Sequence, residues 1–160
     1  MQIRKAVIED YPGIWAIIKE VIAGGDTYTF DPAATMEEMI GYWCASDKYT
    51  YVAVEGDQIA GTFFIKANQP GLGSHVANAG YMVAASHTGK GVGKSMCAFS
   101  LEEAKRMGFK AMQFNFVVKS NTRAVQLWQK MGFSIIGEIP DAFNHKQNGM
   151  TNALILYRKL

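Results

Sequence analysis

The chain has 160 residues, 49% of them apolar and 19% charged, a balance that excludes a disordered chain and fits one compact domain spanning residues 1–160. Sixteen Lys and Arg against fourteen Asp and Glu leave a formal charge of +2, which excludes the basic surface of a dedicated nucleic-acid binder. Cys44 and Cys97 make neither a disulfide framework nor a metal-ligand pattern, so reduced thiols, no metal and a cytoplasmic setting are expected. No apolar run reaches the roughly 20 residues that cross a bilayer, and Met1-Gln2-Ile3-Arg4-Lys5-Ala6 carries no apolar signal segment.

Gln2 to Val7 reads as a short strand. Asp10, as a cap, and Pro12 open a helix whose apolar face is Ile14, Ile17, Ile18 and Val21 and which Gly24-Gly25-Asp26 ends. Thr27 to Phe30 is a loop or short extended piece. Thr35 caps a second helix, with Glu37 and Glu38 at its positive end and Met36, Met39, Ile40 and Trp43 as its stripe. Tyr49–Val54 and Ile59–Ile65 form a hairpin around Glu55-Gly56-Asp57. Lys66 to Val76 is a long loop, and Ala77 to Ala84 a third extended segment. A glycine stretch then opens a helix running to about Met107. Its Val92, Met96, Phe99, Leu101 and Ala104 share one half, at about 100° per residue, and Glu103 falls among them out of character.

Ala111 to Val118 is a strand, with Met112, Phe114, Phe116 and Val118 on one face and Gln113, Asn115 and Val117 on the other. Asn121 to Met131 is a helix. Gly108 and Gly132 stop the two helices that flank this strand. Ile135-Ile136 starts another strand, Pro140 to Met150 is a polar loop, and Ala153 to Tyr157 is the last strand. The order β-α-α-β-β-β-α-β-α-β-β predicts a mixed α/β sheet.

The densest chemical signal is Thr88-Gly89-Lys90-Gly91-Val92-Gly93-Lys94-Ser95, between an apolar strand and a helix. Alternate glycines let successive N–H groups face one point, and the helix end adds positive potential, so the segment suits a phosphate or pyrophosphate. The spacing misses the dinucleotide fingerprint G-x-G-x-x-G. It nearly fits the P-loop G-x-x-x-x-G-K-[ST], with Thr88 in place of the first glycine.

Thr88-Gly89-Lys90-Gly91-Val92-Gly93 also resembles the acetyl-CoA loop, [Q/R]-x-x-G-x-[G/A], of the GNAT N-acetyltransferase superfamily, with Thr88 replacing the usual Gln or Arg. Asn121-Thr122-Arg123-Ala124-Val125-Gln126-Leu127-Trp128-Gln129-Lys130-Met131-Gly132-Phe133 resembles that family's N-x-x-A-x-x-L-Y-x-K-x-G-F segment. The resemblance covers nearly the whole chain. It implies a mostly antiparallel central sheet flanked by helices, with two splayed parallel strands forming the acyl-CoA cleft. The CoA pyrophosphate would rest on the loop Thr88, Gly89, Lys90, Gly91, Val92, Gly93 and Lys94. The pantetheine arm would pair with Tyr81, Met82 and Val83, and Asn121, also a helix cap, would touch it.

The implied reaction moves an acetyl group from acetyl-CoA, a cosubstrate, to a primary or secondary amine of a small molecule or amino acid, by direct attack in a ternary complex and without metal. The backbone N–H of Val83 would meet the oxyanion. Trp128 stands where relatives often carry an acid Tyr, and 78–83 lacks the Glu many use as a base, so positioning and water are expected to serve. Asn115 resembles an asparagine of acetyltransferases acting on proline-analogue amino acids and is the candidate acceptor-orienting residue. Tyr28 is a further catalytic candidate; Asp26, Asn144 and His145 lie with it in loops flanking the acceptor groove. The expected partners are a small-molecule acceptor, with a second copy of the chain as a further candidate, and no nucleic acid or membrane. A small P-loop-like nucleotide binder and an inactive acyl-CoA-binding module are the alternatives.

Overall fold

The structure, a computed structural model, describes residues 1–160. The strands are β1 (Gln2–Lys5), β2 (Tyr49–Glu55), β3 (Gln58–Ala67), β4 (Val76–Val83), β5 (Ala111–Val118), β6 (Ser134–His145) and β7 (Gly149–Lys159). The helices are α1 (Tyr11–Gly24), α2 (Met36–Trp43), α3 (Val92–Arg106) and α4 (Thr122–Lys130). The strands form one sheet in the order β1-β2-β3-β4-β5-β7-β6. Only β4 and β5 run parallel, and they pair only at Val76 with Ala111 and Ala77 with Met112. Beyond that point they diverge. No helix is long and apolar enough to cross a membrane.

Both faces of the sheet are covered, which is why β2 and β3 read as nearly continuous apolar runs. Strand alternation sends Tyr51, Phe63, Ile65, Ala77 and Ala79 toward α3 and α4, and Val52, Phe64 and Met82 toward α1 and α2. The α1 face is Ile14, Ile17, Ile18 and Ile22. Thr35 caps α2 as expected: its hydroxyl accepts from the Glu38 N–H at 3.2 Å, and its own N–H donates to the Glu38 carboxylate at 2.9 Å. Both cysteines are free, and burial pushes the Cys97 thiol up to about 12.

Three local readings change. Asp10 does not cap α1 with its side chain. Its carboxylate is held by Arg4 in a two-pronged pair at 2.7 and 2.8 Å and accepts the Val7 N–H at 2.8 Å. The stretch from Pro140 to Met150 is mostly strand, because β6 and β7 stay paired from Phe143–Thr151 to His145–Gly149. As an edge strand β6 tolerates Pro140 and polar residues on both faces, so its composition mimics a loop. In β5 a bulge follows Phe114, where Asn115 and Phe116 together oppose Ile155 alone, and Val117 re-enters the register opposite Leu154. Val117 therefore shares the core of Phe114, and Phe116 turns to Phe143 at 6.3 Å.

Glu103 also acquires a reason. Its carboxylate accepts the buried Tyr51 hydroxyl at 2.8 Å and pairs with Arg106 at 2.6 Å. The Arg106 hydrogen bonds are the main cause that holds it down to about 2. A carboxylate with a depressed folded pKa adds stability above its unfolded value, and that stability fades as pH falls from about 4.5 toward 2. Glu103→Gln is expected to be less stable than the parent at pH 7, with the difference shrinking toward pH 2 to 3. Urea unfolding at both pH values checks this, and an unchanged difference would contradict it.

Candidate active site

The site is built where β4 and β5 part. Main-chain groups of β4 alternate between its two edges. Ala84 N–H donates to Ala60 C=O at 2.9 Å, and Asn68 N–H donates to Val76 C=O at 2.8 Å, so the even positions serve β3. Ala79, Tyr81 and Val83 therefore turn their N–H and C=O groups toward the gap. Met82, opposite Thr62, spends its main chain on β3.

A strand edge left open beside a parallel neighbour would tend to zip onto it. Two side chains cap it here. The Tyr28 hydroxyl, reaching in from the loop between α1 and α2, donates to Tyr81 C=O and accepts from Tyr81 N–H, both at 2.8 Å. Across the gap, Asn78 Nδ2 donates to Gln113 C=O at 2.9 Å. Gly80 makes room: a Cβ there would lie 2.8 Å from Phe64 and 3.3 Å from the Tyr28 hydroxyl. Burial raises the Tyr28 hydroxyl above its ordinary value, so it stays protonated at neutral pH. The Tyr81 side chain points the other way, onto Ser100 at 2.6 Å.

At the end of β4 the chain makes one tight turn and then the glycine loop. Thr88 N–H bonds Ala85 C=O at 3.2 Å, Lys90 N–H bonds His87 C=O at 3.3 Å, and Ser95 N–H bonds Gly91 C=O at 3.0 Å. The N–H groups of Gly89, Gly91, Val92, Gly93 and Lys94 have no acceptor in the protein. Gly89 and Gly91 both sit at φ +82, a left-handed conformation that glycine adopts without penalty, and a Cβ on Gly91 would meet open space. Gly93 serves packing instead, since its Cβ would stand 3.4 Å from Leu127 of α4. Five free donors at a helix N-terminus form an anion cradle. Lys94 lines it, whereas Lys90 is exposed outside it.

Sequence reasoning missed a further cation. Arg123 on α4 comes within 3.1 Å of where a Gly89 Cβ would be, has no carboxylate partner, and lines the same cavity. Guanidinium forks suit phosphate oxygens. Arg123→Ala is expected to weaken acetyl-CoA binding about tenfold, roughly 1.4 kcal/mol, with little change in thermal stability. Titration calorimetry checks this, and an unchanged dissociation constant would remove Arg123 from the cradle.

Loop and gap belong to one cavity of about 690 Å³. Asn121 lines it and also caps α4, accepting the Ala124 N–H at 3.3 Å. Trp128 is buried between Tyr81 and Phe114, each 5.0 Å away between ring centres, and borders the cavity. Asn115 lines the far half. It accepts from Gln113 at 3.0 Å and donates to Asn68 at 2.6 Å. The buried His87, also missed, lines the cavity under the loop and lies 3.3 Å from Glu55. The other loop candidates stand away: Asp26 and Asn144 are exposed and outside the lining. His145 turns inward, its Nδ1 accepting the N–H groups of Gln147 and Asn148 at 3.1 Å each, and so closes the hairpin between β6 and β7.

A diverging parallel strand pair beside a glycine cradle defines an acyl-CoA transferase fold, and the single parallel pair is unlike the parallel sheet of a P-loop nucleotide binder. The family model described as the acetyltransferase (GNAT) family matches residues 14–133, and the chain belongs to that family. The N-acetyltransferase aca1 of Schizosaccharomyces pombe is 40% identical over 84 residues, 52% of this chain and 40% of that protein. The chain thus matches less than half the length of this curated relative. A GCN5-related N-acetyltransferase from Kribbella flavida has a solved structure with TM-score 0.95 and 40% identity, covering 99% of this chain and 97% of that one. A phosphinothricin acetyltransferase from Sinorhizobium meliloti, solved with acetyl-CoA, shares the fold at TM-score 0.88 and 18% identity, covering 99% of this chain and 88% of that one.

Proposed function

We propose that this chain transfers an acetyl group from acetyl-CoA to the amine of a small molecule or amino acid by direct attack in a ternary complex. The observation that carries it is the continuity of five free loop amides with the open edge of β4 in one cavity. Gly89, Gly91, Val92, Gly93 and Lys94 would hold the pyrophosphate, with Arg123 beside them. The edge at Val83 would take the extended arm, beside the Tyr81 main-chain groups that Tyr28 already holds, and Asn121 would flank it. Bound there, acetyl-CoA supplies an activated acyl carbon at the mouth of the gap.

The protein's part is positioning. Val83 N–H, facing the gap, would donate to the carbonyl oxygen as it gains negative charge. Tyr28 keeps the Tyr81 edge fixed so that the gap stays open, and its protonated hydroxyl suits it to hold geometry and not to accept a proton. Asn115 would orient the acceptor with its amide. An amine of pKa about 10 is charged at neutral pH, and exposing its lone pair costs about 4 kcal/mol. Entry into a gap free of carboxylates favours the neutral form by desolvation, and water would carry off the proton. The nitrogen–carbon bond forms, the carbon–sulfur bond breaks, and the thiolate takes a proton from water, since Trp128 offers no acid.

The test is thiol release from acetyl-CoA with and without amines, with mass spectrometry of the product. Amine-dependent release matched by acetylated amine supports the reading. Tight acetyl-CoA binding with no amine-dependent release would make the chain an acyl-CoA-binding module instead.

A further inference from the structure

The cavity divides by chemistry. At the loop end its charged lining residues are Lys94 and Arg123, with His87 below. At the far end the lining is Tyr28, Phe30, Tyr42, Phe64 and Phe116, with the amides of Asn78 and Asn115. The rings of Tyr28, Phe30, Tyr42 and Phe64 form a continuous wall, and Phe116 lines the cavity apart from it. Tyr28 stacks on Phe30 at 5.6 Å, Phe30 meets the edge of Tyr42 at 5.0 Å, and Tyr42 meets Phe64 at 6.4 Å. No Asp or Glu lines the cavity anywhere.

The wall also has a positive charge behind it. Lys48 Nζ lies 4.2 Å from the centre of the Tyr42 ring and 5.5 Å from that of Phe64, and its side chain is 4% exposed. Its carboxylate partner, Asp47 at 3.1 Å, is shared with Lys66 at 3.2 Å. Lys48 thus draws on the negative face of Tyr42 that would otherwise attract a ligand cation. A molecule carrying several ammonium groups would meet no countercharge in this half, and burying an unpaired charge is costly.

Resting on the acetyl-transfer reading above, we infer that the acceptor is a monoamine borne on a flat aromatic body, with no second positive charge. Its ring packs on the wall formed by Phe30, Tyr42 and Phe64, and its single nitrogen reaches past Phe116 and Asn115 to the gap. Polyamines and other multiply charged amines are rejected for want of a carboxylate.

The experiment titrates 2-phenylethylamine and spermidine, separately, into the protein saturated with CoA to read binding, and follows acetylation of each in a parallel assay supplied with acetyl-CoA. The inference expects 2-phenylethylamine to bind at least tenfold more tightly than spermidine. Asn115→Asp, a change of one atom at an exposed position, is expected to strengthen spermidine binding at least tenfold. Spermidine binding as tightly as 2-phenylethylamine in the parent protein, or neither amine binding, would overturn the inference. Selective binding of 2-phenylethylamine without acetylated product would leave the pocket assignment standing and bring down the acetyl-transfer reading, so the two fail separately.

Discussion

Gly91→Glu is expected to weaken acetyl-CoA binding by at least about 100-fold, close to 3 kcal/mol, while the protein stays folded. Gly91 opens the first turn of α3 at φ +82, with nothing within 4 Å of the position its Cβ would take. A Cβ at this position therefore meets no neighbour, and the carboxylate beyond it is expected to enter the space beside the free N–H groups of Gly91, Val92, Gly93 and Lys94. It would compete with a phosphate for the same donors and repel it as well. The left-handed backbone costs a non-glycine residue about 1 kcal/mol, so a modest loss of thermal stability is also expected. Gly91→Ala separates the two effects: it carries the same backbone cost without the charge, and should keep most of the affinity. Calorimetry on both variants, beside thermal unfolding, checks this. Full affinity in Gly91→Glu would take the pyrophosphate away from this loop.

Tyr28→Phe is expected to lower kcat about tenfold or more, equivalent to about 1.4 kcal/mol or more, with acetyl-CoA affinity changed less than about threefold. The hydroxyl serves both main-chain groups of Tyr81 at 2.8 Å. Without it the β4 edge is free to hydrate or to pair further toward β5, and the acyl group loses its fixed seat. The cradle on α3 is untouched, hence the small effect on affinity. Losing the two bonds should cost about 1 to 3 kcal/mol of stability, read as a lower urea midpoint. A loss of stability with kcat intact would reduce Tyr28 to a structural role.

The two halves of the site were unequally legible in the sequence. The cradle could be read because its chemistry is local: alternate glycines after a strand have few other uses, and the backbone alone supplies the donors. The flanking helices and a mixed sheet follow from the order of elements, and the splayed parallel pair from the family resemblance. The acceptor half is legible only in part: the sequence offers Tyr28 and Asn115 as candidates, but their meeting with Phe64 and Asn78, from four separate segments, is set by the sheet register. Phe116 escaped because a bulge shifts its face, and nothing in the strand pattern marks a bulge. His145, expected in a loop flanking the acceptor groove, is spent closing a turn. Arg123 did leave a signal that was not used. The segment Thr122–Lys130 carries two cations and no carboxylate, so Arg123 has no partner on its own helix.

The central claim, that the free loop amides seat acetyl-CoA, is open to amide NMR with added CoA. Large shifts and slowed exchange are expected at Gly89, Gly91, Val92, Gly93, Lys94 and Val83. Thr88 and Lys90, whose N–H groups are already bonded internally, should move far less. Saturable CoA binding that leaves those six amides unmoved would place CoA away from the loop and the β4 edge.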